Sequence, residues 1–216
     1  MATSLVFHQG NSWIKDECIK LGAKNAIHID VAERVQFENL KRKTNKPLKA
    51  IWLGSPTTSK YLSFIEQPLK KIQDDIGLDI YMVGANPKEN FAFRFKCITW
   101  SLENEKKYLS ASDIGLMPLP ENDWSKGKCG GKARTYMASG VIPIVSDIGY
   151  NKDLIKHGKS GFLCNESQDW YNYIKLLNGN SELQNQIRDL NYSTVKSNFD
   201  KRKIAKIIEN AILNVS

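Results

Sequence analysis

Between Lys49 and Asn165 the chain repeats one alternation: a short, predominantly apolar run followed by a segment of helical periodicity. The apolar runs are "KAIWLGS" (49–55), "LDIYMVGA" (78–85), "FKCITWS" (95–101), "DIGLMPLP" (113–120), "VIPIVSDIG" (141–149) and "SGFLCN" (160–165). A strand with one solvated face alternates apolar and polar residues. These runs stay largely apolar, so both of their faces must be covered. Strands of that kind, each followed by a helix, predict an α/β fold: an open parallel sheet with helices on both faces. Such sheets bind ligands beyond the C-terminal ends of their strands, where strand order reverses. The pattern therefore nominates the turns at Gly54–Ser55, Gly84–Ala85, Trp100–Ser101, Pro118–Gly131 and Asp147–Tyr150.

The helical segments carry their own signals. After the first of these runs, Tyr61, Leu62, Ile65, Leu69, Ile72 and Ile76 recur at helical spacing. Ser55 is a candidate cap for that helix, with Pro56 at its first position, and Pro68 predicts a kink or break within it. The first 46 residues read as strand, helix and strand, and "ENLKRKTNKP" is a charged, solvated linker. Two parts follow: a short piece over 1–46, and a domain over 47–216 that ends in a helix from about Asp200 to Val215.

Composition excludes several classes. No stretch approaches the ~20 apolar residues of a membrane span, and the start lacks the pattern of a secretory signal. The four cysteines, Cys18, Cys97, Cys129 and Cys164, form no Cys-x-x-Cys pair, so neither a zinc site nor a disulfide framework is indicated. Reduced thiols and a cytoplasmic location are the simple expectation. The net charge of +8 suits an anionic partner. No basic strand interleaved with aromatics marks nucleic acid as that partner.

One segment concentrates the charge. "WSKGKCGGKARTYMASG", Trp124 to Gly140, holds four basic residues and four glycines in seventeen positions. It follows a strand end and leads into an apolar helix from about Gly131. A helix start presents N–H groups without intrahelical partners and a partial positive charge, which suits phosphate. Lys132 and Arg134 fall in the first turn, where cations oppose the helix dipole at a cost of roughly 0.3–1 kcal/mol each. An arriving anion would offset that cost. Lys126 and Lys128 flank the same turn. Neither a Walker A loop nor Gly-x-Gly-x-x-Gly after the first strand occurs, so ATPase and dinucleotide sites lose support.

Taken together, "IWLGSPTTSKYL", "YMVGA", "DIGLMPLPENDWSKGKCGGKARTYMASGVIPIVSDIG" and "KHGKSGFL" resemble the C-terminal, donor-binding half of family 4 glycosyltransferases, from about Lys49 onward. The resemblance implies a Rossmann-like half of a GT-B enzyme, with 1–46 similar to the end of the N-terminal half. It implies a retaining hexosyl transfer from a nucleoside-diphosphate sugar to a sugar or lipid-linked acceptor, without metal or other cofactor. It places the diphosphate at Gly130 and Gly131, the base near Trp100 and Ser101, and Gly54 and Ser55 along the cleft. The expected donor contacts are thus Gly54, Ser55, Trp100, Ser101, Lys126, Lys128, Gly130, Gly131, Lys132 and Thr135.

The sequence departs from that family where two glutamates, separated by seven residues, are usual: Gly127 and Thr135 stand there. Ser55 occupies the position of a common arginine, and Lys60 is the match for a usual lysine. Sugar-contacting carboxylates must then come from elsewhere, with Asp123 or Glu121 as candidates, unless the chain is a non-catalytic nucleotide-sugar-binding module. Trp124 either covers a ligand or anchors the loop. Trp52 and Trp170 read as packing residues; His8, His28 and His157 are scattered and read as structural. Because 1–46 is too short for an acceptor half, the expectation is a partner chain supplying that half, or self-association through the start segment, and no transfer by the chain alone. A lipid-linked acceptor would bring the protein to the inner face of a membrane.

Overall fold

The computed structural model describes residues 5–9, 11–35 and 45–213. The strand β1 (Leu5–Gln9), the helix α1 (Ser12–Lys20) and the strand β2 (Asn25–Ile29) form the first unit, in which the two strands pair in parallel as a sheet of their own. Most of the expected linker falls at 36–44, outside the described residues. From Leu48 the order is β3 (Leu48–Leu53), a 3-10 turn (Ser59–Ile65), α2 (Glu66–Asp75), β4 (Leu78–Val83), β5 (Lys96–Ile98), α3 (Leu102–Ala111) and β6 (Ile114–Met117). Then come α4 (Asp123–Lys126), α5 (Gly131–Ala138), β7 (Ile142–Ser146), α6 (Tyr150–Leu154), β8 (Phe162–Cys164), α7 (Ser167–Leu177), α8 (Ser181–Asn198) and α9 (Lys201–Leu213).

Six strands form an open, all-parallel sheet in the order β5–β4–β3–β6–β7–β8. The chain builds outward from β3 in one direction, then returns to β3 and builds outward in the other. The topological switch point lies between β3 and β6. Both faces are apolar, as the sequence requires. On one face Leu48, Ala50, Trp52, Ile80 and Met82 pack with Leu69 and Ile72 of α2 and with Trp170 and Ile174 of α7. On the other, Ile51, Leu53 and Val83 pack with Leu109 of α3, Ala133, Tyr136 and Met137 of α5, and Val195 of α8.

One helix differs from its sequence expectation. The segment after β3 divides into the 3-10 turn and α2, joined at Ile65–Glu66. A continuous α-helix would need an N–H at Pro68 for the Phe64 carbonyl and would drive the proline ring into it. Starting α2 at Glu66 moves Pro68 into the first turn, where no intrahelical bond is lost. Ser55 consequently caps no helix. A turn separates it from the 3-10 segment, with Thr58 N–H donating to the Ser55 carbonyl at 3.0 Å.

A buried ion pair ties the lower part of this domain. Arg188 of α8 lies 3.6 Å from Asp113 and donates to the Gly140 carbonyl at 3.1 Å. Asp113 also accepts from the Lys49 N–H at 2.9 Å. The final helix, α9, reaches back to touch β2. Among the described residues, no helix is long and apolar enough to cross a membrane.

Candidate functional site

β3 and β6 pair only at Ala50–Ile114 and Ile51–Gly115, then diverge toward their C-terminal ends. Tyr136 of α5 fills the opening from below. Its hydroxyl accepts from the Leu53 N–H at 3.1 Å and donates to the Leu116 carbonyl at 3.1 Å. Burial pushes this phenol far above its ordinary range, so it stays neutral and bridges the two strands. The opening above it is the switch-point crevice.

The floor of the adjoining cleft is backbone. Gly54 follows β3 and Gly84 follows β4, and their N–H groups donate to Val83 at 3.1 Å and Ile98 at 2.9 Å. Gly84 has φ +80, and a Cβ there would lie 2.2 Å from the Gly54 carbonyl oxygen. Only glycine fits that conformation and approach. Over this floor lies an open cleft of ≈ 610 Å³ lined by Gly54, Ser55, Gly84, Cys97, Thr99 and Trp100, among others. Trp100 is exposed, and its indole N–H donates to Glu105 at 2.7 Å. Ser101 accepts from the Asn104 N–H at 3.0 Å and thereby caps α3.

The basic, glycine-rich segment enters from the other side of the switch point. It contains a single helical turn, α4. Asn122 caps α4 by accepting from Ser125 N–H at 2.9 Å. Gly130, with φ +66, turns the chain into α5. A Cβ there would meet the Tyr150 ring at 2.9 Å. The first bond of α5 runs from Arg134 N–H to the Gly130 carbonyl, so the N–H groups of Gly131, Lys132 and Ala133 have no partner within the helix.

The four cations of this segment separate. Lys132 extends to the end of β3, where its ammonium lies 4.7 Å from the centre of the Trp52 ring and 3.0 Å from where a Gly54 Cβ would stand. Burial, and then the neighbouring Lys128 ammonium, lower its pKa to about 8. Lys128 is itself lowered by burial, and its ammonium sits 3.6 Å from the centre of the Trp124 ring. Lys126 pairs with Asp123 at 3.1 Å. Arg134, which the sequence placed beside an incoming anion, turns into the core: it donates to the Cys129 carbonyl at 2.6 Å and lies between Tyr150 and Phe199. Lys60, the sequence match for a cleft lysine, lies over the Tyr61 ring. The cation beside Gly54 is Lys132.

The first unit wraps this segment. The Asn11 amide donates to the Lys126 carbonyl and, at 3.0 Å, to the Lys128 carbonyl. The Tyr150 hydroxyl bonds the Asp30 carboxylate. Thr135 donates to Glu33 at 3.2 Å. A carboxylate is therefore held against one of the two positions where the sequence lacks a glutamate, and it comes from neither Glu121 nor Asp123. Nothing in "DVAERV" marks Glu33 as special; only the tertiary fold brings it to α5. His28 packs edge-on against Tyr150, and His157 packs edge-on against the stacked pair Phe162 and Tyr173. The side chain of His8 lies outside the described residues.

The structure thus gathers Gly54, Ser55 and Trp100 around one cleft, with Lys132, Lys128, Gly130 and Gly131 at the crevice beside it. Ser101 and Thr135 spend their hydroxyls on protein partners. Among the described residues, no group of three or more His, Cys, Asp or Glu is placed to hold a metal. What the arrangement can do chemically is hold an anion at two ammoniums and a helix start, beside a cleft for a flat or extended group.

The family model for glycosyl transferases group 1 matches residues 48–179. A comparison with curated proteins gives no match. Among solved structures, Anabaena HepE in complex with UDP and glucose superimposes with TM-score 0.75 at 17% identity, covering 97% of this chain and 62% of that one. S. aureus TarM in complex with fondaparinux, α-GlcNAc-glycerol and UDP gives 0.72 at 14%, covering 97% and 43%. A GtfA/B complex gives 0.67 at 14%, covering 98% and 45%. The chain spans less than two thirds of the length of each, and at these identities the likeness is one of fold.

Proposed function

The chain belongs to the group 1 glycosyltransferases, and from that premise we propose that the domain from Leu48 onward binds the nucleoside-diphosphate sugar donor of a hexosyl transfer to a sugar or lipid-linked acceptor. The diphosphate lies at the start of α5, between the ammoniums of Lys132 and Lys128 and the N–H groups of Gly131 and its neighbours. The nucleoside occupies the backbone-floored cleft, with its base toward Trp100. The UDP present in the HepE and TarM complexes supports uridine as the first nucleoside to test.

One observation carries this: Lys132 holds a half-buried ammonium at the switch point, against Trp52 and beside Gly54, at a cost that burial and Lys128 impose. The contact with Trp52 offsets part of that cost, and an anion held at the same point would offset the rest. In glycosyl transfer the bond from the sugar to the diphosphate breaks, and negative charge accumulates on the leaving oxygen. Fixed ammoniums and N–H groups at that point stabilise the transition state more than the ground state. Glu33, held at Thr135, stands at one of the two usual glutamate positions and is assigned to a donor hydroxyl. Retention of configuration and independence from metal belong to the same proposal.

The alternative is a nucleotide-sugar-binding module without turnover, favoured by Gly127, which stands where the family usually has a glutamate. Transfer, unlike binding, also needs an acceptor-binding half, which the proposal assigns to a partner chain. Calorimetry with UDP, GDP and ADP on the parent, Lys128→Ala and Lys132→Ala tests the site: the parent binds at least one, and both variants bind it more weakly. Equal binding by all three proteins would place the site elsewhere. Release of UDP from a UDP-sugar on adding acceptor separates the enzyme from the module.

A further inference from the structure

The rim of the crevice carries aromatic side chains that donor binding leaves unused. The 3-10 turn Ser59–Ile65 buries Ser59, Leu62 and Ile65, so its demand for core contacts is met by those three. Tyr61 and Phe64 lie on its outer side, with Phe64 51% exposed. Trp124, from α4, is 49% exposed. Residues some sixty positions apart in sequence thus meet on the surface: the Tyr61 ring centre is 5.8 Å from Phe64 and 5.7 Å from Trp124. A contiguous aromatic row of this kind, two exposed rings about a half-buried one, marks an interaction site more often than stray exposure does.

Its charge is specific. The Lys60 ammonium lies 5.7 Å from the Tyr61 ring centre and the Lys128 ammonium 3.6 Å from that of Trp124. Lys128 is also one of the two cations at the proposed diphosphate position. The row is therefore continuous with the proposed donor site through Lys128 and Trp124. A chain of pyranose rings offers flat C–H faces at spacings that successive aromatic rings can follow, and flanking ammoniums select acidic substituents on it. We propose that Tyr61, Phe64 and Trp124, with Lys60 and Lys128, form a stacking subsite for an anionic glycan acceptor at the mouth of the donor crevice. This rests on the glycosyl-transfer function proposed above. Single-stranded nucleic acid also uses stacked aromatics beside cations, but the row's continuity with a sugar-transfer site favours a glycan.

The test titrates an oligogalacturonate, a maltooligosaccharide of equal length and a short oligothymidylate against the parent, Phe64→Ala and Lys60→Glu, with UDP titrated on the same samples. Both substitutions are at exposed positions outside the proposed donor contacts, and melting temperatures confirm that each variant is folded. The oligogalacturonate binds the parent, each variant loses about tenfold in its affinity, and UDP affinity is unchanged. The maltooligosaccharide binds more weakly than the acidic chain. Absence of oligogalacturonate binding, equal binding by parent and variants, equal binding of the neutral chain, or tighter binding of oligothymidylate each overturns the assignment. Failure of the parent to bind UDP is a separate readout and bears on the donor site.

Discussion

Replacing Lys132 by methionine keeps most of the side-chain volume against Trp52 and removes the charge. In the parent the pKa of Lys132 is about 8, so at pH 7 about nine tenths of the molecules carry the ammonium and at pH 9 about one tenth. The terminal phosphate of UDP is already ionised across that range. If the ammonium is what binds it, the apparent dissociation constant rises about tenfold from pH 7 to pH 9. A charge-assisted hydrogen bond contributes about 1.5–3 kcal/mol, so Lys132→Met weakens UDP binding at pH 7 by about 10- to 150-fold and flattens the pH dependence. Stability moves the other way. The folded pKa lies below the ordinary value of 10.5, so between the two the unfolded chain binds more protons and parent stability rises with pH. Below pH 8 the penalty for the buried charge is fully present. The variant escapes it, gaining about 1–3 kcal/mol at pH 7 and several degrees in Tm. Calorimetric titrations at pH 7, 8 and 9 with melting curves at pH 7 read both effects. A variant that binds UDP as the parent does with the same pH slope, or that melts earlier, refutes the assignment.

Gly130→Ala places a Cβ 2.9 Å from the Tyr150 ring at φ +66 and should cost about 1–3 kcal/mol; a urea midpoint equal to the parent's would show that the turn relaxes. Tyr136→Phe leaves the Leu53 N–H and Leu116 carbonyl without the bridging hydroxyl, for an expected loss of about 1–3 kcal/mol in the same assay. Chelation by EDTA should leave UDP affinity unchanged, because no three-residue metal-ligand group is placed among the described residues; a strict magnesium requirement for binding in calorimetry would count against the site.

The sheet was legible because its strands are apolar on both faces, a pattern with few alternatives, and the switch point followed from strand order once the sheet was known. The crevice residues at Gly54 and at the start of α5 were legible for the same reason. Periodicity says which way a residue faces on its own element but not what stands opposite. Lys132 and Arg134 are two apart in one basic turn and look equivalent in sequence. Their directions differ along the helix, and one reaches the end of β3 while the other enters the core beside Cys129. Glu33 was invisible because its role exists only through Thr135, about a hundred positions later. Tyr61 reads as part of an apolar helix face, and the 3-10 segment that replaces the start of that helix leaves it half-buried beside the exposed Phe64.

Asn11 spans the Lys126 and Lys128 carbonyls, while Asp30 and Glu33 hold Tyr150 and Thr135. The first unit therefore grips the same turn that the proposed diphosphate would order. Two binding events that stabilise one conformation of a shared segment strengthen each other by equal factors. Donor would then tighten the clasp of β1–α1–β2 on the domain, and loosening the clasp at Asn11 would weaken donor by the same ratio. A chain with this wiring would couple the filling of its crevice to the hold of β1–α1–β2 on the domain, without any side chain reaching across.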